Sequence, residues 1–284
     1  MRERFVAVTT RIVGIPRVAL ARRVVDRFNA ADGGLLAAGV AYNSVLALIP
    51  IGIVATGFAG LVLNDAKSRA DMIRSITAFL PPLAGVVDEI VGGLSKASPS
   101  LSVVGLLLAA WGTSRLFASL ESAIARMDAG GARRSLVRRT ARRLGSIAVL
   151  AGIVIAALLA TPALAIAVEM TASGPAHTLL DLLLAVFPPV LAGIALGAVY
   201  RVIPLPRPSW RAIGPPALVG AVTLVILTRV FVFVAPRVFG ANLVYGTLGA
   251  ILIGLTWLDL VFTVVLLGAA WVLERATSTE AAVV

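Results

Sequence analysis

Cysteine is absent from the 284-residue chain, and histidine occurs once, as His177. Without thiols there is no disulfide, no thiolate zinc site and no cysteine nucleophile. A lone histidine beside Pro175 provides neither a His-rich metal site nor a Ser-His-Asp triad of the usual kind. No GxxxxGK[S/T] phosphate loop occurs, so no intrinsic ATP drive is visible. These gaps predict a protein that is not an enzyme and holds no metal or cofactor. Charge is also scarce, at 14% of residues, and it is lopsided, with 25 basic against 14 acidic side chains.

What fills the space is apolar. The hydrophobic fraction is 59%, against about 45–50% in soluble domains, and the mean hydropathy is +0.99. Leu35–Leu63 runs 29 residues without a charge. About 20 apolar residues suffice to cross a hydrocarbon layer ~30 Å thick. Pro50 lies mid-run, and Ala37, Ala38, Gly39 and Ala41 allow close helix–helix approach, so this span is built to be held in a bundle. It is expected to act as its own insertion signal.

Five more spans follow: about 101–127, 144–168, 178–200, 213–234 and 244–273. The expected fold is therefore all-α, a polytopic membrane protein with six transmembrane helices. Three parts are expected: a basic amphipathic segment over 1–34, the six-helix domain over 35–273, and a tail over 274–284. Within residues 5–28, interrupted near Pro16, Arg22, Arg23 and Arg27 fall near one face, opposite Leu20, Val24, Val25 and Phe28. That pattern predicts an amphipathic interfacial helix on anionic headgroups. The first outer loop, 64–100, should hold short amphipathic helices on either side of Pro81-Pro82. Pro188-Pro189 predicts a break within the fourth span, and Pro215 and Pro216 are expected in the first turn of the fifth.

The arginines sort by loop. The segments 1–34, 126–143, 201–211 and the C-terminus hold eighteen of the 25 basic residues. Cytoplasmic loops carry the Lys and Arg excess, so both termini are expected on the cytoplasmic side of a bacterial inner membrane. The positive charge is then a topology and lipid signal and does not point to nucleic acid. Arg133, Arg134, Arg138, Arg139, Arg142 and Arg143 are the candidate headgroup-binding residues, with membrane lipids as partners.

Three stretches resemble a known family: AAGVAYNSVLALIP (37–50), LLLAAWGTSRLFASLESAIARM (106–127) and NLVYGTLGAILIGLTWLDL (242–260). They are similar to the Ala-rich helix with Leu-x-Pro, the Trp-x-x-Ser-Arg helix and the Tyr-Gly-x-Leu-Gly segment of the YihY/BrkB-type inner-membrane proteins, once mislabelled ribonuclease BN. The likeness covers about residues 30–275. It implies six helices, both termini inside, and an envelope role. Length and the basic N-terminal segment point to the YhjD-like branch, connected with moving lipid A precursors across the inner membrane. The ribonuclease label does not suit a chain whose arginines lie against a membrane.

Ionisable side chains at membrane depth are costly and mark function by default. The candidates are Arg115, Glu121, Arg229 and Asp259. At ~1.5 Å per residue, Arg115 and Asp259 reach similar depths, about 20 Å from the outer side, which predicts a buried pair. Arg229 should lie nearer the outer surface, and Glu121 should approach the cytoplasmic interface. Tyr42, Asn43, Ser114 and Tyr245 are candidates to line the same polar route, although interhelical hydrogen bonding explains each of them as well. Pro50, Pro188 and Pro189 are candidate hinges. Trp111 and Trp257 are expected in packing, and the Gly193/Gly197 face is a candidate for a homo-oligomer. The function these features favour is moving or accommodating an anionic lipid or glycolipid. The alternative is a scaffold for envelope integrity, whose intramembrane charges only fix helix register.

Overall fold

A computed structural model describes residues 16–62, 100–128, 171, 174–203, 208–239 and 246–281. Six helices account for nearly all of them: α1 (Pro16–Ala30), α2 (Gly33–Val62), α3 (Ser100–Met127), α4 (Pro175–Val202), α5 (Trp210–Phe239) and α6 (Gly246–Ala281). No strand occurs among the described residues. The expected third span, the first outer loop, Tyr245 and the 133–143 arginines lie outside them.

Proline opens α1, where its missing N–H costs nothing and its fixed φ suits the first turn. The turn after α1 is set by Asp32, a non-glycine residue in the left-handed region at φ 55. Its N–H donates to the Asn29 carbonyl at 3.0 Å, and its own carbonyl accepts the Leu36 N–H at 3.0 Å. One residue thus closes α1 and opens α2. Gly33 fixes the angle of this corner, because a Cβ there would lie 2.4 Å from Cδ2 and Cε2 of the Phe28 ring. Gly33→Val should therefore push Phe28 off the core and make α1 more sensitive to limited proteolysis than in the parent chain.

Helices α2 and α3 form an antiparallel hairpin with the most extensive helix–helix interface of the described bundle. Small residues make this possible: Ala37, Val40 and Ala123 are buried in one cluster with Leu120, Ile124 and Met127. Helix α6 packs on both α2 and α5, while α4 packs on α5 and α1 lies against α6. The core sits where the ends of these helices converge, and Tyr200, Ile213, Leu266, Ala269 and Val272 complete it. Tyr200 is fully buried, its hydroxyl donating to the Val265 carbonyl at 3.0 Å. The ring fits because residue 268 is glycine: a Cβ there would lie 2.0 Å from the Tyr200 oxygen. Gly193 turns toward α5, with Ala221 Cβ 3.6 Å from where its own Cβ would be. That part of the face proposed for self-association is thus occupied within the chain.

Among the described residues, three stretches are long and apolar enough to cross a membrane: His177–Val202, Trp210–Val234 and Ile251–Thr277. The outer flanks of α4 and α5 expose Leu182, Val186, Val190, Leu218, Val222 and Ile226, as lipid contact requires. Helix α2 continues through Pro50. Three boundaries differ from expectation. Helix α4 runs unbroken through Pro188-Pro189, since a spanning helix keeps its form where neighbours re-satisfy the freed carbonyls. Helix α5 starts at Trp210, so Pro215 and Pro216 fall in its second turn; Ser209 Oγ accepts the Ala212 N–H at 3.3 Å and caps the start. Helix α6 continues to Ala281 because nothing between Glu274 and Ala281 breaks it, and the start of the expected tail is helical.

Candidate functional site

Two polar regions stand out. The first lies along the α2–α3 hairpin. Asn43 sits ten residues into α2 and Arg115 twelve residues before the end of α3. At ~1.5 Å per residue both are roughly 15–18 Å from the α1 end. Arg115 Nε donates to Asn43 Oδ1 at 3.3 Å, and Asn43 Nδ2 in turn donates to the Gly39 carbonyl at 2.8 Å. The Arg115 guanidinium also lies over the Trp111 ring, 5.3 Å from its centroid, a favourable cation–π geometry. Arg115 itself is exposed, and Trp111 is 55% exposed, so this tryptophan is a platform for the arginine, not core packing. Tyr42 is exposed next to Asn43, and Ser114 is half-buried next to Arg115.

The expected Arg115–Asp259 pair does not form. The ion pairs among the described residues are Arg22–Asp26, Arg23–Glu274 and Arg27–Glu274, and Arg115 is directed to Asn43 instead. Depth alone placed the two residues level; which way each points around its helix was decided by the close α2–α3 contact. Asp259 is half-buried on α6, Arg229 exposed on α5 and Glu121 half-buried on α3. Trp257 does pack as expected, 6% exposed against Ala41 and Leu258, and its Nε1 has no hydrogen-bond partner among the described residues. His177, expected in a turn, lies in the first turn of α4.

The second region is a cleft where α1, α3 and α6 meet. Its volume is about 520 Å3, and Arg23, Asp26, Arg27, Arg126, Met127 and Glu274 contribute to its lining. Arg27 Nε donates to Glu274 Oε1 at 2.8 Å and its Nη1 to the Met127 carbonyl at 3.1 Å, so one side chain joins three helices. Arg23 Nε lies 3.5 Å from Glu274 Oε2. Two arginines expected to face headgroups are therefore turned partly into the bundle. Nearby, Arg275 donates to the Arg211 carbonyl at 3.2 Å, and the Arg201 guanidinium lies 5.6 Å from the Trp210 ring centroid while donating to the Pro208 carbonyl. Arginines from the segments 1–34, 126–143, 201–211 and 274–284 thus gather at one end of the bundle. No group of three or more His, Cys, Asp or Glu able to hold a metal occurs among the described residues.

The motif-bearing stretches 37–50 and 106–127 meet at the Asn43–Arg115 contact, and comparison with known proteins agrees with them. The family model described as virulence factor BrkB matches residues 24–283. The chain belongs to the BrkB family. Two relatives carry the words "UPF0761 membrane protein" in their names. That of Chromohalobacter salexigens is 22% identical over 264 residues, covering 89% of this chain and 63% of its own. That of Stenotrophomonas maltophilia is 25% identical over 235 residues, covering 82% of this chain and 55% of its own. The chain thus spans 55–63% of the length of these relatives. No solved structure matches it. As a BrkB-family chain, this is a membrane protein with several long apolar helices. Glu274, which hydropathy alone assigns to a tail, joins α1 to α6 and is a further functional candidate. The signal available was an isolated acid directly after an apolar run, among an excess of arginine.

Proposed function

We propose that this BrkB-family protein crosses the bacterial inner membrane six times, with both termini cytoplasmic, and moves an anionic lipid or glycolipid headgroup along α2 and α3. The observation that carries this reading is Arg115, an exposed guanidinium at mid-depth whose contacts are Asn43 and the Trp111 ring. A guanidinium has five N–H donors, and hydrocarbon offers them no acceptor. A charge at the bilayer centre costs about 2.5–3.5 kcal/mol on insertion scales. A passing phosphate or sugar acid, with its water, would supply the missing acceptors.

On this reading Tyr42, Ser114, Glu121, Tyr245, Arg229 and Asp259 belong to the same route, and Pro50, Pro188 and Pro189 are points where the helices flex. The basic amphipathic segment before residue 35 lies on the cytoplasmic surface, and Arg133, Arg134, Arg138, Arg139, Arg142 and Arg143 concentrate anionic headgroups there. The reading needs no catalytic residue, metal or cofactor. Its test is transbilayer movement of a fluorescent phosphatidylglycerol in vesicles reconstituted with the purified chain. The protein should expose inner-leaflet probe faster than empty vesicles do, and Arg115→Gln should slow that excess at least about tenfold, the weight of one lost charge-assisted hydrogen bond. Rates equal to those of empty vesicles would defeat the proposal.

The tightly packed aliphatic cluster of Ala37, Val40, Ala123 and Ile124 favours a second reading, an envelope scaffold without transport. Deleting the protein would then mislocalise envelope partners and leave lipid asymmetry unchanged.

A further inference from the structure

We infer that the cleft between α1, α3 and α6 is a phosphate-binding site, with Arg23, Arg27 and Arg126 as its cationic wall and Glu274 as the internal anion that phosphate displaces. This deepens the transport reading, and it rests on that reading for the placement of the cleft at the membrane surface.

Charge and geometry support it. Three guanidiniums face a space of about 520 Å3, large enough for a phosphate with a substituent. Two carboxylates share the lining, but Asp26 has its own partner in Arg22, 3.7 Å away on the exposed side of α1. Glu274 therefore answers for the wall, and it does so incompletely. Its two oxygens meet the Nε atoms of Arg27 and Arg23. The Nη groups of Arg23 hydrogen-bond to nothing among the described residues, and Arg126 forms no ion pair there.

Guanidinium forks match the paired oxygens of carboxylate and phosphate alike. The Glu274 carboxylate, bridging two of the arginines, already occupies the position an anionic group would take. A phosphate offers more terminal oxygens than a carboxylate, so it can engage Arg126 while keeping Arg23 and Arg27. Exchanging one anion for another leaves no guanidinium stranded. The rival explanation is that the arginines serve only to cap helix ends. It accounts for Arg27 on the Met127 carbonyl, but not for Arg23 and Arg126.

The test is calorimetric titration of the purified full chain in uncharged detergent, with three probes: dioctanoyl phosphatidic acid, inorganic phosphate and dioctanoylglycerol. Phosphatidic acid should bind and dioctanoylglycerol should not. Arg126→Gln breaks no ion pair among the described residues, so it should fold normally while weakening binding about tenfold, one charge-assisted hydrogen bond's worth. Glu274→Gln removes the competing charge yet keeps an acceptor for Arg27, and should tighten binding severalfold. Either phosphate source upholds the site. Phosphatidic acid binding more tightly than inorganic phosphate assigns a lipid headgroup, and equal binding assigns the free anion. Unchanged affinity in Arg126→Gln, or binding that weakens in Glu274→Gln, would overturn the proposal. Binding in detergent requires no translocation. Failure of the vesicle assay with binding intact would thus reject transport alone, and the converse result would reject the site alone.

Discussion

A valine at position 268 should destabilise the folded chain by about 3 kcal/mol or more, the upper range for overpacking a closed core. Three atoms of Tyr200 lie within 3.3 Å of the space its Cβ would take, and the nearest is the hydroxyl oxygen at 2.0 Å. The tyrosine cannot step aside, because it is fully buried and its hydroxyl is bonded to the Val265 carbonyl. Tyr200→Phe alone should cost only about 0.5–1.5 kcal/mol, the net worth of one neutral hydrogen bond. In the Tyr200→Phe background, Gly268→Ala should cost clearly less than in the parent, since the closest clashing atom is gone. Thermal unfolding of the four chains in detergent measures this coupling. Strict additivity would show that Gly268 and Tyr200 do not meet as described.

Glu274→Ala should release α1 from the bundle. Arg27 and Glu274 leave only 21% and 13% of their side chains exposed, at a separation of 2.8 Å. Removing one partner of a fully buried pair costs about 3–5 kcal/mol, and the partial exposure here brings the expectation down to about 2 kcal/mol. Arg23, with 54% of its side chain exposed, adds little. Absence of native cysteine makes the readout clean. Val24→Cys, on the packed side of α1, should resist a membrane-impermeant maleimide in the parent and react readily beside Glu274→Ala. Adding Arg27→Ala to Glu274→Ala should change reactivity little, because the two changes break the same link. Equal labelling of parent and variant would show that α1 stays docked without it.

Local pattern carried much of the fold. Apolar runs located α2 and α4, and the starts of α5 and α6, to within three residues, because a bilayer demands length and apolarity of each segment by itself. Errors arose where backbone and hydropathy part company. Glu274 ends an apolar run without ending a helix, and Ser209 starts one before the prolines suggest it. The polar sites were less legible. Arg115, Asn43 and Ser114 could be named as polar groups at depth, but Asp259 was as good a partner for Arg115 as Asn43 until the facing of α2 on α3 was fixed. The cleft was invisible for a different reason: its central pair joins residues 247 positions apart. Charge sorting assigns both to one side of the membrane and cannot bring them together.

That separation has a consequence for how the protein is made. Helix α1 leaves the ribosome well before its carboxylate partner, 247 positions further on, is synthesised. At about 5–20 residues per second the wait is roughly 12–50 s. Throughout that interval Arg23 and Arg27 lack Glu274. The final docking of α1 is then a late, checkable event in biogenesis: a ribosome stalled shortly before codon 274 should hold a nascent chain whose Val24→Cys still reacts with maleimide.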